Sequence, residues 1–231
     1  MDGSGPTDVW AVGKAGGGGV AASALAMHYD GAAWAVVDVP EPVGSFGTAL
    51  TAVRTLSLTS AFAVGRAEFG LAGGGNQPIA VQWDGTVWTS VPVPVVPGCV
   101  KDIVPNDVTS GSGRLVVVGH CLTDAGEAGF VLSGSAAGWQ VLLAPGDGTL
   151  PPRSDLRSVT FVPGSGFWVV GSSDPNRMTA RGLSLRYDGR RWIAQPVPPV
   201  GETTALIGVD AIGVTRCSPS ASPRRVRSAG D

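Results

Sequence analysis

The sequence predicts an all-β fold, a β-propeller of about four four-stranded blades, and three observations predict it. A glycine landmark recurs at Gly13, Gly65, Gly119 and Gly171, with separations of 52, 54 and 52 residues. A tryptophan landmark recurs at Trp34, Trp88, Trp139 and Trp192, with separations of 54, 51 and 53. Helices have nowhere to form, because 35 Gly and 18 Pro puncture every segment and both are poor helix formers. Repeats of roughly 40–50 residues built from short strands are the mark of propeller blades.

Each copy reads as four strands. The first is a short apolar run: Leu50–Val53, Asp102–Val104 and Leu156–Val159. The second ends in an aromatic or Val, then Ala or Val, Val and Gly: Trp10–Gly13, Phe62–Gly65, Val116–Gly119 and Trp168–Gly171. The third is Leu25–Tyr29, Ile79–Trp83, Phe130–Leu132 and Leu183–Tyr187, and the fourth opens at the tryptophan landmark. β-Branched and aromatic residues suit a pleated, half-buried surface.

Between strands three and four stand Asp30-Gly31, Asp84-Gly85 and Asp188-Gly189. A tight turn needs positive φ, and Asp-Gly supplies it at low cost. These are therefore turn residues before they are anything else. The third copy has Ser133–Gly138 in this place, read as a longer loop. The four landmark tryptophans are expected to fill the wedges between blades. A stacking platform for a ligand fits Trp10 or Trp83 better, since neither is a Trp in every copy.

A strand ending in Gly, then Tyr/Trp-Asp-Gly-x-x-Trp, then Pro, resembles the kelch-type repeat. It is more similar still to divergent bacterial propeller repeats. The resemblance covers residues 7–214 and departs from kelch in lacking a second glycine after Gly13, Gly65, Gly119 and Gly171. It implies a four-stranded blade and a binding or scaffolding role, and it carries no catalytic residue onto this chain.

The copies fall at 7–49, 50–98, 99–150 and 156–199. The chain enters at strand two, and its missing first strand is expected at 206–212. That count permits two arrangements: a ring closed by the last strand, or an open piece of a larger propeller. Residues 215–231, Ser-, Pro- and Arg-rich, are expected to be a disordered tail. Residues 1–8 lack the basic and apolar regions of a signal peptide, and no apolar run approaches the ~20 residues of a transmembrane helix.

Composition excludes little else. The chain is 43% hydrophobic and 15% charged, enough for one real core, and a net charge of −2 gives no reason to expect nucleic acid. Cys99 and Cys121 flank the first two strands of the third copy and form a candidate disulfide, which would fit an oxidising compartment. Cys217 lies in the tail. His28 and His120 stand in unrelated places, and no cluster has metal-ligand spacing. No catalytic, cofactor or metal residue is therefore assigned.

The leading functional expectation is a non-catalytic module that recognises a protein or a glycan through the strand 2–3 loops, 14–24, 66–78, 120–129 and 172–182. The alternatives are a propeller enzyme whose residues converge only in the fold, and an incomplete propeller without function of its own.

Overall fold

Four antiparallel sheets, each of four consecutive strands, make up the chain. The computed structural model describes residues 1–16, 21–70, 73–135, 138–175 and 179–211. The first sheet holds β1 (Asp2–Gly5), β2 (Asp8–Ala15), β3 (Ser23–Tyr29) and β4 (Trp34–Val37). The second holds β5 (Gly47–Ser57), β6 (Ser60–Glu68), β7 (Asn76–Trp83) and β8 (Trp88–Ser90). The third holds β9 (Lys101–Gly111), β10 (Arg114–Thr123), β11 (Gly126–Ser135) and β12 (Gly138–Leu143). The fourth holds β13 (Ser154–Val162), β14 (Gly166–Ser173), β15 (Arg181–Tyr187) and β16 (Trp192–Gln195). The protein is an all-β, four-bladed propeller array.

The blades stack face to face. One apolar cluster joins the first and second sheets, a second joins the second and third, and a third joins the third and fourth. Among the described residues no such cluster joins the fourth to the first, so the blades form an open row. The face of a blade that meets the blade before it is here its leading face, and the opposite one its trailing face. The first strands β1, β5, β9 and β13 run side by side along the inner edge. There they border a cavity of ≈ 250 Å³ with Asp2, Arg54, Asp107 and Thr160 in its wall.

Two sequence expectations are corrected. The first sheet is completed by β1, not by residues 206–212. Asp2–Gly5 carries no apolar residue, so no hydrophobic pattern marks it; backbone pairing with β2 and the Asp2 carboxylate, which accepts from the Thr55 N–H at 2.7 Å, hold it. Residues 204–209 instead run over the trailing face of the fourth sheet, where the Thr204 N–H donates to Ala180 O (2.9 Å) and the Leu206 N–H to Gly171 O (3.2 Å). The tail at 215–231, with Cys217, lies outside the described residues.

The landmark glycines do not end the second strand either; they sit inside it. Each of three faces a bulge in the first strand, where Thr51, Asn106 and Arg157 are the extra residues. The bulge presses the neighbouring backbone into the glycine. A Cβ on Gly65 would lie 2.0 Å from Ala49 O, on Gly119 2.2 Å from Val104 O, and on Gly171 1.9 Å from Asp155 O. Gly13 has no bulged partner, and a Cβ there would meet nothing within 4 Å. Gly65→Ala is therefore expected to cost roughly 2 kcal/mol or more, whereas Gly13→Ala stays within about 0.5 kcal/mol of the parent. Urea titrations of the two variants followed by circular dichroism check this; equal effects would contradict it.

The strand 3–4 connections Asp30–Ala33, Asp84–Val87 and Asp188–Arg191 share one geometry. The Asp Oδ1 accepts the N–H groups of the second and third residues after it, at 2.8–3.0 Å. Gly31, Gly85 and Gly189 take φ of 98°, 100° and 97°. The Ala33 and Ala32 N–H groups at Asp30, and those of Arg191 and Arg190 at Asp188, hold these carboxyls below the ordinary range. At Asp84 the Thr86 hydroxyl, which donates to Oδ1 at 2.6 Å, lowers the carboxyl most, ahead of the Val87 and Thr86 N–H groups. In the third copy β11 runs on through Ser133–Ser135, so the longer loop read from the sequence is mostly strand.

Candidate functional site

Two places bring chemistry-bearing residues together across blade junctions. The first is polar and lies between the third and fourth blades, on the strand 2–3 side. His120 follows the landmark glycine on β10, and Glu127 and Asp155 are the second residues of β11 and β13. Suitable atoms of the three lie within 4.8 Å of one another. His120 Nδ1 is 3.1 Å from Asp155 Oδ1 and His120 Nε2 is 3.5 Å from Glu127 Oε1. Asp155 is fully buried. The side chains of the two bulge residues enter from either blade. The Asn106 amide donates to Leu156 O (2.7 Å) and Asp155 Oδ1 (3.0 Å), and it also lies 3.1 Å from His120 Nδ1. The Arg157 guanidinium rests on Asp155 Oδ2 as an ion pair.

The chemistry of this donor set fits a junction better than a metal centre. An amide N–H₂ already stands between the imidazole and the carboxylate, and a guanidinium neutralises the carboxylate. The second blade uses its bulge in the same way: the Thr51 hydroxyl donates to Pro105 O of the third blade at 2.7 Å. Pro105 and Leu156 are equivalent positions, opposite Gly119 and Gly171. The bulge side chain of one blade thus caps a carbonyl beside the bulge of the next. Sequence reading missed this set because its members come from two copies; the signal available was that the residue after the landmark glycine differs in each copy, Lys14, Arg66, His120 and Ser172.

Other polar groups also tie strands together. Asp8 is buried and accepts from Ser4 and from His28 Nε2, the latter at 2.7 Å. Burial alone would raise its carboxyl, but the Ser4 and His28 hydrogen bonds and the His28 charge outweigh it and hold it below the ordinary range. Asp107 bridges from the third blade to the Val159 N–H (2.9 Å) and the Ser158 hydroxyl (2.8 Å) of the fourth; burial pushes its carboxyl up despite those bonds. The signs differ. The Asp8 contribution is present above the ordinary carboxylate range and is lost as pH falls through the depressed value. The Asp107 contribution is present below that range and is lost as pH rises through the elevated value. Asp8→Asn should therefore flatten the loss of stability on acidification, read as the difference in urea midpoint between neutral and acidic pH. An unchanged difference would contradict the Asp8 account.

The second place is a cleft of ≈ 560 Å³ between the second and third blades. It opens at the end carrying the strand 1–2 and 3–4 turns, opposite to the strand 2–3 loops. Leu56, Phe62, Val91, Leu115 and Trp139 supply its apolar wall, and Gln82, Ser110 and Arg114 its polar groups. Glycines shape the floor: the six-membered ring of Trp139 lies over Gly134, where a Cβ would come within 3.1–3.2 Å of it. Phe62 and Trp139 meet across the junction at 5.6 Å, tilted by 43°. Among the described residues, the Arg114 side chain has no hydrogen-bond or ion-pair partner, while its backbone pairs with Gly111.

The singled-out aromatics divide by position. Trp88 is 4% exposed, and Trp139 and Trp192 are half-buried at the second and third junctions. Trp34 is 43% exposed on the leading face of the first blade. Trp10 cannot be a stacking platform: it is 1% exposed, stacked on His28 at 4.5 Å and held edge-on by Trp83 and Trp88. Trp83 completes that cluster and is half-buried. Cys99 and Cys121 are joined by a disulfide, with their Cα atoms 5.7 Å apart. It ties the connection that precedes β9 to β10. Of the expected loops, 120–129 is a tight hairpin turning at 124–125, because β10 and β11 pair as far as Thr123 and Gly126.

No family model matches the chain, and no curated protein matches it. Among solved structures the chain is similar to one described as YCF48 bound to D1 peptide, with a TM-score of 0.47 and 17% identity. The match covers 84% of this chain and 51% of that one, so the chain spans about half the length of that protein. The propeller architecture stands on the chain's own four sheets.

Proposed function

We propose that the chain is a propeller binding module that takes an extended segment of another protein in the cleft between its second and third blades. The cleft carries this reading: five apolar side chains beside an unpaired guanidinium make a concave, mostly apolar surface with a few polar groups, the usual composition of a binding site. Trp139 and Leu115 would hold an apolar side chain of the segment, and Arg114 with Gln82 its backbone carbonyls. A glycan would call for more hydrogen-bonding groups beside the ring than Ser110, Gln82 and Arg114 provide. The affiliation with kelch-like bacterial repeats belongs to the same proposal, on the strength of the glycine and tryptophan landmarks. The Cys99–Cys121 disulfide supports an oxidising compartment as its place of work.

A display library of extended peptides selected on the purified chain tests the reading. The expected result is a set of binders with an apolar anchor whose affinity falls about tenfold or more in Leu56→Glu and in Arg114→Ala. Leu56 is 43% exposed, so that change leaves the core untouched. Binders indifferent to both substitutions, or binding only to a glycan array, would overturn it.

A further inference from the structure

We infer that the segment taken by the cleft between the second and third blades is acidic, and that one of its carboxylate side chains seats in the neighbouring cavity between the third and fourth blades. The inference rests on the cleft reading above and adds a second contact to it. The neighbouring cavity has a volume of ≈ 300 Å³ and opens at the same end of the molecule, among the strand 1–2 and 3–4 turns. Arg114 borders both cavities. Strand alternation places it on the same face of β10 as Val116, which packs toward the fourth blade. The tip of the β9–β10 hairpin, Gly111-Ser112-Gly113, lies between the two cavities. Its two glycines keep that divide low. Phe161 of the fourth blade lies directly over Gly111, where a Cβ would come within 2.1–2.5 Å of its ring. An extended segment can therefore pass from one cavity to the other over backbone.

The wall shows which side chain the second cavity takes. Phe161 and Phe167, with rings 5.0 Å apart, and Tyr187 give it an apolar side suited to a methylene stem. Its polar groups are mostly cationic or donors. Arg114 and Arg186 border it, and among the described residues neither side chain has a hydrogen bond or an ion pair; the Arg186 Nε is buried without a partner. The Ser165 hydroxyl accepts from the Trp168 indole N–H at 3.0 Å, which leaves its own proton to donate. Asp188 is the one carboxylate bordering the cavity among the described residues. Its Oδ1 accepts the Arg190 and Arg191 N–H groups at 2.9 and 3.0 Å, and it feels the charge of Arg186 without pairing with it. Two guanidiniums against one carboxylate leave the wall net positive, the complement of an acidic side chain. A guanidinium carries five N–H donors, so Arg114 can serve the segment's backbone on one side and its carboxylate on the other.

Peptides selected on the full chain from a random display library test this. The expected binders carry Asp or Glu at a fixed offset from their apolar anchor, and changing that residue to its amide weakens binding about tenfold. In Arg114→Gln the same change should cost less than about twofold, because the partner charge is gone. Ser112 borders the second cavity and not the cleft. It is exposed and stands at φ 50°, a conformation that Asp and Asn tolerate. Ser112→Asp should weaken acidic binders about tenfold, and Ser112→Asn should bind them like the parent. The two readings fail separately. Binders weakened by Leu56→Glu that show no acidic preference, that lose as much on amidation in Arg114→Gln as in the parent, or that are indifferent to Ser112→Asp would overturn the inference and leave the cleft reading standing. Binders indifferent to both Leu56→Glu and Arg114→Ala, or a library that yields none, would overturn both.

Discussion

Trp88→Ala is expected to remove roughly 3–5 kcal/mol of stability, the range for truncating a buried aromatic side chain. The physical reason is its place. Trp88 stands on the leading face of the second blade, 4% exposed, with its ring 5.0 Å from that of Trp10 and 5.7 Å from that of Trp83. Removing it leaves a hole at the junction that the two neighbouring rings are too rigid to fill. Trp88→Phe should cost less, because the buried Trp88 Nε1 has no partner and that unpaired N–H disappears with the indole. Trp34→Ala, at the equivalent position but with the ring 43% exposed, should cost far less than Trp88→Ala. Denaturant curves followed by far-ultraviolet circular dichroism give the comparison, since tryptophan fluorescence changes with the substitution itself. Equal losses at positions 34 and 88 would contradict the junction account.

Breaking the Cys99–Cys121 bridge is the second large effect. The bond joins residues 22 apart in sequence, and cross-links of that span contribute roughly 2–4 kcal/mol, chiefly by restricting the unfolded chain. Cys121 is fully buried in the second junction, where Cys99 packs beside it. The double change of Cys99 and Cys121 to Ser should lower stability by that amount. Reductant should lower the parent by a similar amount and leave the double variant unmoved. Thiol titration of the unfolded parent without reductant is expected to find a single reactive thiol, at Cys217. Three thiols would contradict the bridge, and with it the argument for an oxidising compartment.

The blade count and the strand content were legible in the sequence for a physical reason. A repeat that stacks on its neighbour must keep its packing residues in phase, so Gly65, Gly119 and Gly171 and the four tryptophans keep their spacing. What sits outside that phase was not legible. The β1 strand is Asp-Gly-Ser-Gly; it is held by backbone pairing and one carboxylate, which leave no hydrophobic pattern. The apolar run at 206–211 carries the pattern of a strand and yet pairs with none, because it is used as a strap. Both candidate sites were hidden for a third reason. Leu56, Gln82, Arg114 and Trp139 belong to different copies, as do Asn106, His120, Asp155 and Arg157, and linear spacing cannot show which copies touch.

The role of the landmark glycines was visible only in part. Their period revealed the repeat, but the cause lies in the bulge opposite. Thr51, Asn106 and Arg157 share nothing as residue types, so the feature that makes each glycine necessary has no sequence signature of its own. The same three side chains then reach across the junctions or pair beside them, which couples blade geometry to blade-to-blade adhesion.

Each copy is one sheet leaning on the next, with Trp88, Trp139 and Trp192 at the three junctions. Nuclear Overhauser contacts between side chains of neighbouring copies test it most directly. The expected result is a contact between the rings of Trp10 and Trp88, a second between Phe62 and Trp139, and a third between Val116 and Trp192. Landmark side chains that show contacts only within their own copy would contradict it.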